Sequence, residues 1–373
     1  MEAMKELYDV VNNQLAYARK LKETSGKKVV GYMCTYAPEE LINAAGAHPL
    51  RLFGSSKKIF LADGHLQSYC CSLVRGVLED ALGGDLNSLD GMIFPHTCDS
   101  VQRLSDIWRL NVRCGFHLDV VLPVKLDTES ARVYMIDMLK RFRSDLEKEL
   151  QIRITDEDIK KSITLYNAIR DGLSRVYEFK NKNPEAVSGR DIYTLVRAAM
   201  IMDRPSYLKI LQNVIKELEK SAGPPEKETG KRLVLSGGIC SHPDIYSVIE
   251  EAGGVVVGDD LCTGSRYFAG PINTVGDPIV AIAQRYWQRV NCPAKHQTNN
   301  SRAENLLQIV KDSRARGVIF MLLKFCDPHA FDYPYLLAAL DAAGISHLLL
   351  EVEDQPLAQG QLKTRLEAFL ETL

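Results

Sequence analysis

Two short apolar runs in this chain end in the same pair of residues. Gly317–Leu323 (GVIFMLL) runs into Lys324, Phe325, Cys326 and Asp327, and Gly91–Pro95 (GMIFP) runs into His96, Thr97, Cys98 and Asp99. Apolar throughout and only a few residues long, such runs read as parallel strands buried on both faces. Open α/β sheets gather ligands beyond the carboxyl ends of their strands, so each run delivers a thiol to the edge where chemistry sits. Residues 324–334 (KFCDPHAFDYP) are expected as a loop carrying Cys326, Asp327 and His329.

The rest of the chain alternates between strand and helix patterns. Residues 1–24 place Leu7, Val10, Val11, Leu15 and Ala18 at helical spacing, ending at Ser25 and Gly26. A strand over 28–33 is followed at once by Cys34, then by a helix that Pro38 opens and Gly46 closes. A strand follows at 48–53. Residues 66–82 read as a helix with Cys70 and Cys71 in its first turns, where the positive end of the dipole favours thiolate. Strand 89–95 delivers Cys98, a helix covers 100–110 and a strand covers 117–123. From 130 to 221 the pattern is helical, charged and free of cysteine, with joints at KNKNPEAVSG and SAGPPEKETGK. A second α/β stretch opens with RLVLSGG, which runs into Cys240. It continues with a helix at 243–252, a strand at 255–258 leading to Cys262, helices at 278–291 and 302–314, the strand before Cys326, a helix at 334–343, a strand at 346–352 and a helix at 362–373.

The two stretches thus repeat an order: strand, Cys, helix closed by Gly, strand, intervening helices, strand, Cys-Asp. The expected fold is α/β, with two lobes built on parallel sheets and a helical region between them, divided at 1–128, 129–228 and 229–373. The first lobe contributes Cys34, Cys71 and Cys98, and the second contributes Cys240, Cys262 and Cys326. If the two carboxyl edges face each other, six thiols share one crevice.

At 373 residues, 46% of them hydrophobic and 25% charged, the chain is long enough for two cores. Its net charge is −2 and its basic residues are scattered, so neither nucleic acid nor an anionic membrane is an expected partner. The N-terminus is charged throughout, and no apolar run approaches the roughly 18 residues of a membrane span, so a cytoplasmic location is expected. Nine cysteines in that setting are not expected to form disulfides, which leaves metal ligation, catalysis or plain burial. Cys114, Cys292 and Cys70 read as buried thiols. The six that recur at strand ends read as ligands of a metal centre. Zinc would call for C-x-x-C knuckles, which are absent from the sequence, whereas dispersed thiols brought together by folding suit an iron-sulfur cluster.

Five stretches carry a resemblance: GYMCTYAPEELINAAG (31–46), YCCSL (69–73), HTCDSVQRLSDIW (96–108), GGVVVGDDLCTGSR (253–266) and FCDPHAFDYP (325–334). In their order and spacing the chain resembles the superfamily of 2-hydroxyacyl-CoA dehydratase and benzoyl-CoA reductase subunits, which includes the double-cubane cluster proteins. The resemblance implies two Rossmann-like lobes with a helical insert, an oxygen-sensitive iron-sulfur cluster between the lobes, and single electrons supplied by a separate ATP-hydrolysing activase dimer. It also implies ligands. Cys71, Cys98 and Cys326 match the pattern that holds one four-iron (4Fe-4S) cluster, and the addition of Cys34, Cys240 and Cys262 resembles the pattern of a double-cubane cluster, in which two cubanes share a bridging sulfide. The double cubane is the preferred expectation and the single cubane the alternative, since SGGICSHPD around Cys240 departs from the double-cubane proteins.

Ser72, His96 and His329 are candidates to hydrogen-bond cluster sulfurs or to carry a proton. Asp99 and Asp327 are expected to cap the helices that follow them, and Arg266 to meet an anionic substrate or a carboxylate. The glycines at 237, 238, 253 and 254 do not form G-x-G-x-x-G, and no Walker A sequence is present. Three functions follow. The first is a low-potential reductase acting on a small substrate at a double cubane; the second is a dehydratase or benzoyl-CoA reductase subunit with one cluster; the third is a non-catalytic electron carrier. A homodimer is expected if the chain works alone, and a heterodimer with a related subunit for a dehydratase.

Overall fold

The apolar runs fold as strands, and each lies within a few residues of its expected place. The computed structural model describes residues 3–54, 57–221, 230–239, 244–289, 292–297, 302–353 and 359–373. The strands are β1 (Val29–Tyr32), β2 (His48–Arg51), β3 (Gly91–Pro95), β4 (Phe116–Val120), β5 (Lys231–Gly237), β6 (Gly254–Asp260), β7 (Gly317–Leu323) and β8 (Ser346–Val352). The helices through the first lobe and the insert are α1 (Ala3–Asn12), α2 (Gln14–Ser25), α3 (Glu39–Ala44), α4 (Ser72–Leu82), α5 (Asp99–Asn111), α6 (Glu129–Leu150), α7 (Asp156–Lys182), α8 (Gly189–Ile201) and α9 (Arg204–Ser221). Those of the second lobe are α10 (Asp244–Glu251), α11 (Ser265–Phe268), α12 (Pro278–Gln288), α13 (Arg302–Ser313), α14 (Asp327–Ala342) and α15 (Gln359–Glu371).

The strands form two four-stranded sheets, ordered β2-β1-β3-β4 and β6-β5-β7-β8, and every pairing is parallel. Each lobe therefore has the same strand order, which bears out the repeat read from the sequence. In both sheets the strand before Cys-Asp is internal and wholly buried, as an apolar run with no polar face requires. Gly91 shows how closely the strands must pack: a Cβ there would meet the Phe116 ring at 2.4 Å.

The helical insert bridges the lobes. α7 packs on α3 of the first lobe and on β6 and α11 of the second, and α8 lies against β2 on one side and α10 on the other. One continuous core accordingly includes Met92 of the first sheet, Leu195 and Met200 of α8, and Leu235 and Ile319 of the second sheet. Buried polar contacts tie the same junction. Arg204 of α9 donates to Glu39 of α3 at 2.8 Å, and Glu39 also accepts from Tyr166 of α7 and Tyr267 of α11, both at 3.3 Å.

Three element boundaries differ from expectation. The N-terminal helix is broken in two, because Asn13 leaves helical geometry and its side-chain amide donates to the Asp9 carbonyl at 3.2 Å. α4 begins only at Ser72, so Cys70 and Cys71 precede it rather than occupying its first turns. Conversely, α14 starts at Asp327, and most of the segment expected as a loop is helical. Pro328 falls in its first turn, where a missing N–H costs nothing, and Pro334 is accommodated further along. Among the described residues no helix is long and apolar enough to cross a membrane.

Candidate functional site

Three cysteines occupy the same local position on three helices. Cys71 immediately precedes α4, Cys98 precedes α5 and Cys326 precedes α14. Asp99 and Asp327, expected as caps, are the first residues inside their helices. The reason is backbone geometry: the chain leaves β3 extended as far as Cys98, at φ −142° and ψ 166°, and helical angles begin one residue later. Before Cys326 the turn is tighter. Phe325 takes a left-handed φ of 64°, an uncommon conformation for a bulky residue and one that clusters at functional sites.

These three thiols come from different elements yet act on one another. Burial pushes the Cys98 thiol up to about 12, and the nearby Cys71 and Cys34 add to the shift, while the backbone amides of Val101 and Ser100 pull against it. Cys326 is raised by burial too, then by Cys71, Cys98 and Cys262, with the His329 amide opposing. Cys326 is on the second lobe and Cys71 and Cys98 are on the first. The carboxyl edges of the two sheets therefore face one another across a shared cleft.

A second group of thiols lies beside the first. Cys262 follows β6, and the Cys292 thiol donates a hydrogen bond to it; that bond, followed by the Arg266 guanidinium and the His329 imidazole, holds Cys262 as thiolate against burial. Cys34 acts on both Cys98 and Cys292 and so links the two groups. Cys292, read from the sequence as an ordinary buried thiol, thus belongs to the cleft. It lies beyond α12 in irregular chain, with neither a preceding strand nor a Cys-Asp pair to announce it. Cys240 lies outside the described residues. Cys114 is buried as expected, with its thiol raised by burial alone.

Positive charge surrounds the thiols. Arg266 is 5% exposed, and among the described residues its Nε and Nη1 have no hydrogen-bond acceptor; Asp260 stands 3.4 Å from Nε, and the carboxylate expected from the sequence is this one. Lys295 is buried and feels Cys34, Cys292 and Cys98, while its Nζ donates to the Leu122 carbonyl at 3.2 Å. Arg289 donates to the Thr35 carbonyl at 3.1 Å, next to Cys34. The cleft opens through a cavity of about 870 Å³ bounded by Thr97, Cys98, Lys295, His296, Asp327 and Phe331.

The other candidates divide. His329 is buried in the first turn of α14, bonded to Cys262 and packed against Gly238, where a Cβ would meet its Nε2 at 3.2 Å. His96 instead pairs with Asp119 at 2.8 Å, in a partly buried network in which Ser105 bridges Asp119 and His117. Ser72 is half-buried as the first residue of α4, next to Cys71.

Among the described residues, no group of three or more His, Cys, Asp or Glu side chains is disposed to hold a single metal ion. The donor set has another character. Its members are thiols on separate rigid helix starts, beside a buried guanidinium with donors to spare. That chemistry fits an anionic cluster, which spreads its thiolates over several irons rather than converging them on one.

Residues 34–373 match the family described as 2-hydroxyglutaryl-CoA dehydratase, D-component. The chain is 29% identical over 365 residues to the (R)-phenyllactyl-CoA dehydratase beta subunit of Clostridium sporogenes, an alignment covering 98% of this chain and 97% of that one. It is also 29% identical to the (R)-2-hydroxyglutaryl-CoA dehydratase beta subunit of Acidaminococcus fermentans, over 94% of each chain. A benzoyl-CoA reductase subunit of Thauera aromatica is a third relative, 29% identical over 86% of this chain and 84% of its own length.

Proposed function

The chain belongs to the 2-hydroxyglutaryl-CoA dehydratase D-component family, and on that footing we propose that it is the iron-sulfur subunit of an enzyme acting on a CoA thioester, with Cys71, Cys98 and Cys326 as cluster ligands. The observation that carries this reading is the meeting of three helix-start thiols from two lobes. When bound, the cluster supplies single electrons at low potential.

The chain's own residues would do the rest. The rigid starts of α4, α5 and α14 hold the thiolates apart at fixed positions, and their amides favour the ionised form. Arg266 and Lys295 offset accumulated negative charge within the cleft, and His329 keeps Cys262 oriented. The buried flanks of the cleft exclude water, and its mouth between Cys98 and Phe331 admits substrate or partner. The relatives are each named as one subunit of a dehydratase or reductase, which supports a related subunit as partner and favours a heterodimer over a homodimer. We take the electron donor to be an ATP-hydrolysing activase.

A second reading, a double-cubane reductase of a small substrate, is favoured by the additional thiols Cys34, Cys262 and Cys292 beside the first three. One assay separates the two. The anaerobically purified chain, alone and with its related subunit, is given activase and ATP and assayed for 2-hydroxyacyl-CoA dehydration and for small-molecule reduction. Dehydration that needs activase, ATP and the second subunit is expected. Small-molecule reduction by the chain and activase alone supports the double cubane, and full turnover with a mild reductant and no activase overturns both.

A further inference from the structure

Away from the thiols, two buried arginines act on one carboxylate and a third stands beside them. Arg170, Arg285 and Arg289 are 7%, 5% and 6% exposed. Glu40 forms an ion pair with Arg170, and although burial pushes its carboxyl up, Arg170 and Arg285 together hold it low. Arg285 has no carboxylate of its own among the described residues: its Nε donates to the Gly270 carbonyl and its Nη2 to the Tyr267 carbonyl, both at 2.9 Å. Burial and the neighbouring Arg170 and Arg289 work against its charge, and the Glu40 carboxylate that Arg170 already engages offsets them only in part. A guanidinium does not lose its proton in a protein, so a buried one without a carboxylate calls for an anion.

Arg285, in the last turn of α12, and Arg289, just past its end, line a cleft of about 660 Å³ together with Gln284 and Gln288. The opposite wall is rigid. Asn167 of α7 clamps the loop by donating to the Ile272 carbonyl at 2.7 Å and accepting from the Ile272 amide at 2.9 Å. The floor reaches toward the thiol cleft through Arg289, which lies 4.1 Å over the Tyr36 ring. The volume exceeds what a bare ion needs and falls in the range of small-molecule sites, about 300–1,000 Å³.

We infer that the cleft between α12 and the loop at 270–273 binds the phosphoryl end of a small molecule, with Arg285 and Arg289 as its cationic grip and Gln284 and Gln288 as neutral donors. Two neighbouring guanidiniums match a multiply charged oxyanion better than a single carboxylate. The phosphoryl group can belong to a free phosphate compound or to the nucleotide portion of a CoA thioester, and the second source rests on the function proposed above.

Calorimetric titration of the full chain with inorganic phosphate, pyrophosphate and coenzyme A tests this, with and without iron, so that the result does not depend on the cluster. Saturable, salt-sensitive binding of pyrophosphate is expected, weakened about tenfold or more in Arg285→Gln. Because that variant can misfold, Gln288→Glu and Gln288→Lys at the exposed mouth supply a second measure, and they should weaken and strengthen binding respectively. Coenzyme A binding far tighter than pyrophosphate, and displaced by it, supports the thioester source; equal affinity supports a free phosphate compound. No saturable binding of any probe, or binding indifferent to all three substitutions, overturns the inference.

Discussion

The thiol of Cys292 donates a hydrogen bond to Cys262, joining a residue the sequence leaves unmarked to one at a strand end. Sulfurs in such contact are placed for oxidation to a disulfide once nothing else holds them. Treating the iron-free chain with diamide should therefore cross-link Cys262 to Cys292, detectable by peptide mapping, while Cys114, raised by burial alone, stays free. Random pairing, or no bond involving Cys292, would contradict the arrangement of the second thiol group.

Glu39 and Arg204 form a buried pair at the junction of both lobes and the insert, with side chains 7% and 0% exposed. Removing one partner leaves an uncompensated buried charge, so Glu39→Ala should lower unfolding free energy by about 3–5 kcal/mol. Denaturant unfolding measures this directly, and a loss below about 1 kcal/mol would mean the pair is not the junction it forms in the structure.

Gly237 ends β5 with φ 154°, and a Cβ there would lie 2.0 Å from the Met321 carbonyl oxygen. A backbone atom of a neighbouring strand cannot swing aside as a side chain can. Gly237→Ala should cost at least about 2 kcal/mol and displace Arg266, which donates to the Gly237 carbonyl. Thermal unfolding indistinguishable from wild type would refute this.

His48 predicts a pH dependence. Burial lowers its pKa to about 3, with Arg204 and Lys27 adding to the shift and Asp203 and the Ile201 carbonyl opposing it. The unfolded chain, with its histidine near 6.5, binds the proton more readily, so the contribution to stability is complete above pH 6.5 and is lost progressively as pH falls toward 3. At about 1.4 kcal/mol per unit, the loss between pH 6.5 and 5 is about 2 kcal/mol. Urea unfolding across that interval should show a slope that His48→Gln flattens; parallel profiles would argue against a neutral buried His48.

Much of this fold is legible in the sequence because its information is local. GMIFP and GVIFMLL can be little other than buried parallel strands, and their Cys-Asp endings mark the edge where Cys98 and Cys326 stand. Helix starts are harder to read, since Cys71, Cys98 and Cys326 precede their helices in place of the Ser, Thr, Asp or Asn that usually marks a cap. Cys292 and Arg285 escape a sequence reading for a different reason. Their roles come from what folding sets beside them, Cys262 in one case and Arg170 with Glu40 in the other, and neither neighbour is near in sequence.

Counting iron and acid-labile sulfide in anaerobically prepared protein shows whether Cys71, Cys98 and Cys326 hold an iron-sulfur cluster across the two lobes. About four irons per chain are expected, or about eight if the neighbouring thiols hold a second cubane. Cys98→Ser should remove at least half of that iron, and Cys114→Ser none. A wild-type chain that holds no iron after anaerobic reconstitution, or a Cys98→Ser variant with its iron undiminished, would contradict this ligation.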